Sequence, residues 1–332
     1  MITPLRVALL SAAHVHAGAY AEALSQIEGA TLAAVWDDQA VRGRPFAAKY
    51  TVPFQPSLED LWADCDAVVV TAENARHRRL CEAACAAGKH VLCEKPLAIS
   101  QEDAEAMIAV ADSAGVVLAT AFPMRHSLPA RALHRAIRAG VVGEVLAIRA
   151  TNRGTSPPGW FQDPALAGGG AVIDHTVHVA DLLRWYLEDE PETVQAEISH
   201  GLHGGAVDDA AFLTITFEGG VVVTHDPSWS RPPSYPIWGD ITMEVVGTRG
   251  TLDLNAFSQN IHYYPRQTDH AEWLPWGTNA DRAMVEDFVA AIREGRPPAA
   301  TGRDGERALA VALAAYESAR SGQPVAVAPP AR

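Results

Sequence analysis

Residues 5–18 read LRVALLSAAHVHAG, an apolar strand-like run that breaks at Ser11 into a turn and then enters a helical pattern over residues 18–27. The same alternation continues outward. Residues 31–36, 66–71, 90–93 and 116–120 are short apolar runs of the kind that are buried on both faces of a parallel sheet. Amphipathic stretches at 76–86 and 101–114 lie between them. Ser100 is placed to cap the second, and Gly88 and Gly115 to close their helices. Strand–helix–strand repetition at this spacing predicts an open, doubly wound α/β domain over residues 1–122.

Beyond Phe122 the rhythm changes. A helix is expected over 129–139, a strand over 145–151, a Gly- and Pro-rich loop over 153–170 and a helix over 171–186. Strand-like runs follow at 193–199, 211–217, 221–225, 241–246, 251–254 and 261–264. Glu218-Gly219-Gly220 and Thr248-Arg249-Gly250 are turn signals between them. Sequential strands with short turns predict a large, mostly antiparallel sheet. Helices over 280–293 and 304–321 complete an α+β domain assigned to residues 123–332.

The chain of 332 residues is 48% hydrophobic and carries 26 basic against 40 acidic residues, a net charge of −14. The acidic excess is spread over both halves. It disfavours nucleic acid and anionic membrane as partners, because both need a basic face. No run approaches the roughly 18–20 apolar residues of a membrane span. Strand-like sequence begins by Leu5, which leaves no room for a signal peptide, so a cytoplasmic location is expected. Cys65, Cys81, Cys85 and Cys93 form no Cys-x-x-Cys pair and read as buried free thiols.

Several groups can carry chemistry. A dinucleotide-binding turn usually presents Gly-x-Gly-x-x-Gly to pyrophosphate. Here Ser11-Ala12-Ala13-His14-Val15-His16 places no glycine at a motif position, and small residues stand in for it. His14 and His16 can donate to phosphate or substrate, ligate a metal, or be polar residues at a helix entrance. Asp37 and Asp38 end the second strand, where a carboxylate accepts from the adenosine ribose and repels a 2′-phosphate. That favours NAD over NADP, although Arg42 and Arg44 lie close by in the sequence.

Glu94-Lys95-Pro96 follows the strand at 90–93, at the carboxyl edge where such sheets bind ligands. Lys95 can polarise a carbonyl or alcohol oxygen there, or form a surface ion pair. After Gly168-Gly169-Gly170, Asp174 and His178 are four apart on a helix and share a face, which suits proton transfer; His175 is expected to point elsewhere. The same residues are also compatible with a polar pair at a helix–sheet seam.

Residues 86–97, AAGKHVLCEKPL, resemble a signature of the glucose–fructose oxidoreductase / inositol dehydrogenase / rhizopine catabolism family (Gfo/Idh/MocA). Gly168-Gly169-Gly170 with Asp174 and His178 is similar to its second signature, and Thr248-Arg249-Gly250-Thr251-Leu252 also fits. The resemblance implies a Rossmann domain, then a domain with a large open sheet through which homodimers or homotetramers form. It implies NAD(P)-dependent hydride transfer to or from a sugar, inositol or related polyol.

Carried over residue by residue, the family makes Lys95 the catalytic lysine, with Asp174 and His178 as partners. The glycine-free turn departs from the family pattern; by their place in that turn and at the end of the second strand, Ser11, Ala12, Ala13, His14, His16 and Asp37 would hold the dinucleotide, while the resemblance puts Thr71, Asn74, His77, Glu94 and Lys95 on its nicotinamide side. Arg125, Trp160 and His175 fall to the substrate. No metal is assigned. Alternatives are a metal-dependent lyase or hydrolase, an NAD-recycling glycoside-cleaving enzyme, and a non-catalytic NAD-binding regulator.

Overall fold

The structure, a computed structural model, describes residues 3–264 and 272–330. Its contacts divide into two compact units, Met1–Pro123 with Asn279–Glu306, and Met124–Thr278 with Arg307–Arg332.

In the first unit, β1 (Leu5–Leu10), α1 (Ala17–Gln26), β2 (Ala30–Trp36), α2 (Ala40–Lys49), β3 (Phe54–Gln55) and α3 (Leu58–Asp64) come first. They are followed by β4 (Ala67–Val70), α4 (His77–Ala86), β5 (His90–Cys93), α5 (Gln101–Ala114) and β6 (Leu118–Thr120). The six strands form a sheet in the order β3-β2-β1-β4-β5-β6, all parallel. Strand order reverses between β1 and β4, and ligand crevices in such sheets open at the carboxyl ends beside that point. All four residues of β4 are wholly buried, as expected for a strand covered on both faces. Ser100 accepts from the Asp103 amide at 3.2 Å to start α5, and Gly115 ends it at φ +66°.

The second unit contains α6 (Leu128–Arg138), β7 (Val145–Gly154), α7 (Pro164–Ala167), α8 (Ala171–Leu187), β8 (Pro191–Ser199), β9 (Ala210–Phe217) and β10 (Val222–Asp226). Then come β11 (Gly239–Gly247), β12 (Gly250–Asn255), β13 (Asn260–Tyr263) and β14 (Glu272–Pro275). The chain ends with α9 (Ala280–Glu294), α10 (Gly302–Ser321) and β15 (Val325–Ala326). The larger sheet has the order β12-β11-β7-β10-β9-β8-β15.

The larger sheet is mostly antiparallel, as expected, and the β9–β10 turn returns β10 alongside β7 in the parallel sense. One difference from expectation concerns the domain boundary: the sequence assigns everything past Phe122 to one domain, whereas α9 belongs to the first unit. Met284, Val285 and Phe288 of α9 pack in one core with Tyr20 and Leu24 of α1, so burial of that apolar stripe sends the chain back. Among the described residues no helix is long and apolar enough to cross a membrane. The four cysteines are buried free thiols, and burial pushes Cys65 up to about 11 and Cys85 to about 12.

Gly170, immediately before α8, is required for space. A Cβ there would overlap the backbone carbonyl oxygen of Asp208. Gly170→Ala is expected to lower the unfolding free energy by roughly 1–3 kcal/mol, read as a fall in the urea midpoint; an unchanged midpoint would contradict this packing.

Candidate functional site

The β1–α1 turn achieves without glycine what glycine normally permits. Ser11 adopts φ +73°, the left-handed region that disfavours a side chain by roughly 1–2 kcal/mol. Its surroundings hold it there. The Ser11 amide donates to the Trp36 carbonyl at 2.6 Å, and Thr71 Oγ1 donates to the Ser11 carbonyl at 2.5 Å. Ser11 Oγ accepts from the Ala13 amide at 3.2 Å and from Arg42 at 3.0 Å. The His14 amide donates to the Thr71 carbonyl at 2.9 Å.

Asp37, just past β2, is buried and ties the same turn to its own strand end. It accepts from the amides of Ala12 at 2.8 Å and Gln39 at 2.7 Å. The Arg42 guanidinium meets it in a fork, with Nε at 2.8 Å and Nη2 at 2.9 Å. Arg42 also reaches Asp38 at 3.0 Å and Glu73 at 3.1 Å. Of the two nearby arginines, Arg42 therefore bears on Asp37, while Arg44 lies over the Phe54 ring at 4.8 Å.

Beyond β5, Glu94 is fully buried. Its Oε1 lies 2.9 Å from His16 Nδ1, 3.5 Å from His14 Nδ1 and 2.5 Å from the Tyr20 hydroxyl. Its Oε2 accepts from the Lys95 amide at 2.9 Å. Burial alone would raise the Glu94 pKa, but His14, His16 and Lys95 outweigh it and hold the carboxyl well below its usual range. Burial likewise opposes the His16 charge, and Glu94 overcomes it, so His16 is raised. Burial, with Glu94 adding to it, pushes the Tyr20 phenol well up.

His77 is buried, with Nδ1 3.0 Å from the Pro96 carbonyl and Nε2 3.2 Å from the Ala72 carbonyl. It braces the segment after β4 against the one that carries Lys95. Lys95 and Asn74 are themselves buried. The first unit thus gathers Ser11, Ala12, Asp37 and Thr71 around one set of bonds, and His14, His16 and Glu94 around another.

In the second unit, α8 carries Asp174, His175 and His178, all buried. Its first turn is capped from a distant loop. Asp208 accepts from the amides of Gly170 at 2.8 Å and Val172 at 2.7 Å, and from the Tyr316 hydroxyl at 2.8 Å. Trp229 Nε1 donates to Asp174 Oδ2 at 3.2 Å.

One expectation is corrected here, because His175 does not point away from Asp174. Its Nδ1 donates to the Pro227 carbonyl at 2.8 Å, which turns Nε2 to 3.4 Å from Asp174 Oδ2. Arg125 is buried in a fork with Asp181, at 2.8 and 2.6 Å, and Trp160 stacks on Phe161 with centroids 3.9 Å apart. Sequence reading missed Tyr20, Asp181, Asp208 and Tyr316, while Trp229 lies in the Trp- and Pro-rich segment 226–233 expected to shape the substrate site. Tyr20 alone had a local signal, four residues after His16 on α1.

A six-stranded parallel sheet whose strand order reverses between β1 and β4, with a carboxylate just past β2 and a lysine after β5, has the arrangement of a dinucleotide-binding α/β domain. The comparisons give the family. Residues 7–122 match the NAD-binding Rossmann-fold oxidoreductase family GFO/IDH/MocA, and residues 130–253 match its C-terminal domain. The chain is 35% identical over 307 residues to a 1,5-anhydro-D-fructose reductase of Ensifer adhaerens, covering 89% of this chain and 90% of that protein. It is 30% identical over 323 residues to a myo-inositol 2-dehydrogenase of Thermotoga maritima, covering 90% and 92%. The crystal structure of GenD2 from gentamicin A biosynthesis in complex with NAD superposes with a TM-score of 0.90 at 27% identity, covering 99% and 98%. The chain belongs to the GFO/IDH/MocA oxidoreductase family.

His225 on β10 is buried, and burial pushes its pKa from 6.5 down to about 3. The unfolded chain binds this proton below about pH 6.5 while the folded chain does not. Stability is therefore lost as pH falls through that window, by up to about 1.4 kcal/mol per pH unit. His225→Leu is expected to flatten the decline in urea midpoint between pH 6.5 and 4. An equally steep decline would show that the acid response comes from elsewhere.

Proposed function

We propose that this chain is an NAD-dependent dehydrogenase or reductase that interconverts an alcohol and a ketone on a sugar, inositol or related polyol. The observation that carries the reading is the Glu94-Lys95-Pro96 turn at the carboxyl edge of the parallel sheet. The backbone amide of its lysine donates to the carboxylate of the preceding residue at 2.9 Å. The named relatives, a sugar reductase and an inositol dehydrogenase, support the substrate class.

The residues present fit the dinucleotide. Ser11 supplies the left-handed turn, and Ala12 and Ala13 are small enough for close backbone approach. Asp37 is held by two amides and Arg42 at the place a ribose diol would use, which favours NAD. Ser11, Ala12, Ala13, His14 and His16 would lie along the pyrophosphate side, with Thr71, Asn74, His77, Glu94 and Lys95 toward the nicotinamide. Bound NAD supplies the hydride-accepting ring.

The chain's own residues handle the oxygen and its proton. The Lys95 ammonium polarises the reacting oxygen and stabilises its developing negative charge. His178 takes the hydroxyl proton in the oxidative direction and returns it in the reductive one. Asp174, beside His175 and Trp229, supports the positive charge that His178 then carries. Arg125, Trp160 and His175 are assigned to the substrate side. Arg125 would act from a fixed position, since Asp181 already holds it.

We also assign self-association to the open face of the larger sheet, where Phe212 and Val222 are exposed beside Thr214, Thr224 and Arg149. Calorimetric titration with NADH and NADPH, then a panel of sugars and cyclitols, tests the whole reading. Absence of dinucleotide binding would overturn it. Lys95→Ala is expected to lose turnover on the order of 10³-fold while NADH binding persists. Substantial turnover in that variant would remove the lysine from the chemistry.

A further inference from the structure

Three side chains of the first unit, assigned above to the pyrophosphate and nicotinamide sides of the dinucleotide, also converge on one another. One ligand-type atom from each of His14, His16 and Glu94 lies within 4.8 Å of the others. Glu94 Oε1 is 2.9 Å from His16 Nδ1 and 3.5 Å from His14 Nδ1. Nitrogen and oxygen ligands at roughly 2.0–2.2 Å from a tetrahedral metal stand about 3.3–3.6 Å from one another. The two separations from the carboxylate are therefore already close to ligand spacing.

We propose that His14, His16 and Glu94 form a binding site for a divalent transition metal of the zinc class. Two imidazoles and one carboxylate suit zinc or cobalt, whereas magnesium and calcium call for oxygen ligands throughout. Three protein ligands also leave a coordination position open.

The surroundings match such a site in two respects. The carboxylate is aimed by two outer partners, the Lys95 amide on Oε2 and the Tyr20 hydroxyl on Oε1; outer partners of this kind orient metal ligands. His14 and Glu94 are buried, while the His16 side chain is 36% exposed, which provides a route in.

On binding, His16 gives up the Nδ1 proton it donates to Glu94. Coordination also replaces the 3.2 Å hydrogen bond from the His16 amide to His14 Nδ1. The ion would thereby cross-link the turn after β1 to the turn after β5, next to the backbone of Lys95.

The test is a cobalt(II) titration of chelator-stripped full-length protein, followed by visible ligand-field absorption and by calorimetry. NADH binding is measured by fluorescence on the same stripped protein. One cobalt ion per chain is expected, displaced by zinc. His16→Ala, at a partly exposed position, is expected to weaken cobalt binding by roughly 100-fold or more, with far-UV circular dichroism confirming its fold. Glu94→Gln, close in shape, is expected to weaken it likewise. Stoichiometric binding that is equally tight in His16→Ala, or no binding by the parent chain, overturns the site. Loss of the metal result with NADH binding retained removes the site alone, and the converse removes only the dinucleotide reading.

Discussion

A carboxylate with no access to water must find its compensation inside the protein, and Glu94 does so through groups drawn from three places. Its four close partners are a backbone amide just past β5, two imidazoles in the turn after β1, and a phenol on α1. Stripping one partner from a buried charge of this kind typically costs about 3–5 kcal/mol, so the turn, the helix and the lysine-bearing segment are not independent. Tyr20 is also a member of the core that α9 joins. The position of Lys95 is thereby coupled to packing that begins near residue 280.

The second unit solves a related problem by a different route. The first turn of α8 has amides with no partner in the helix itself, and Gly170 offers no side chain to cap them. Asp208 supplies both oxygens instead and is itself fixed by Tyr316 on α10. The carbonyl of the same residue lies where a Cβ at position 170 would go, so the glycine is there to let the cap approach. Asp174 and His178 sit one and two turns further on. Their placement follows from a helix start dictated by a loop some forty residues later in the chain.

The sequence reveals most where local pattern and burial agree. The strand at His90–Cys93 and the helix at Gln101–Ala114 match expectation at both ends, because apolar runs and cap residues mark both boundaries. The helix at Ala40–Lys49 is missed because it contains Pro45, lacks a side-chain cap and buries only Gly43 and Ala47. At the sites, Lys95, Asp174 and His178 stand out through spacing, but their supports do not. Asp208, Trp229 and Tyr316 meet α8 only through long-range packing, and Asp181 answers Arg125 from 56 residues away. Geometry along one helix also misleads for His175, where a carbonyl on another segment sets the ring.

The absent glycines show how a local rule can fail without the fold failing. A left-handed residue in the β1–α1 turn is still needed, and Ser11 adopts that conformation against its own preference. Its hydroxyl offsets the cost by accepting from Ala13 and Arg42, two bonds a glycine could not make. Arg42 in turn forks onto Asp37, whose other contacts include the amide of Ala12. The turn and the Asp37 carboxylate are thus one hydrogen-bonded unit, whereas a glycine-rich turn can hold its shape through backbone freedom alone. With serine in this place, the geometry of the β1–α1 turn depends on Asp37 and Arg42. The turn and the end of β2 should accordingly respond together to any change in either.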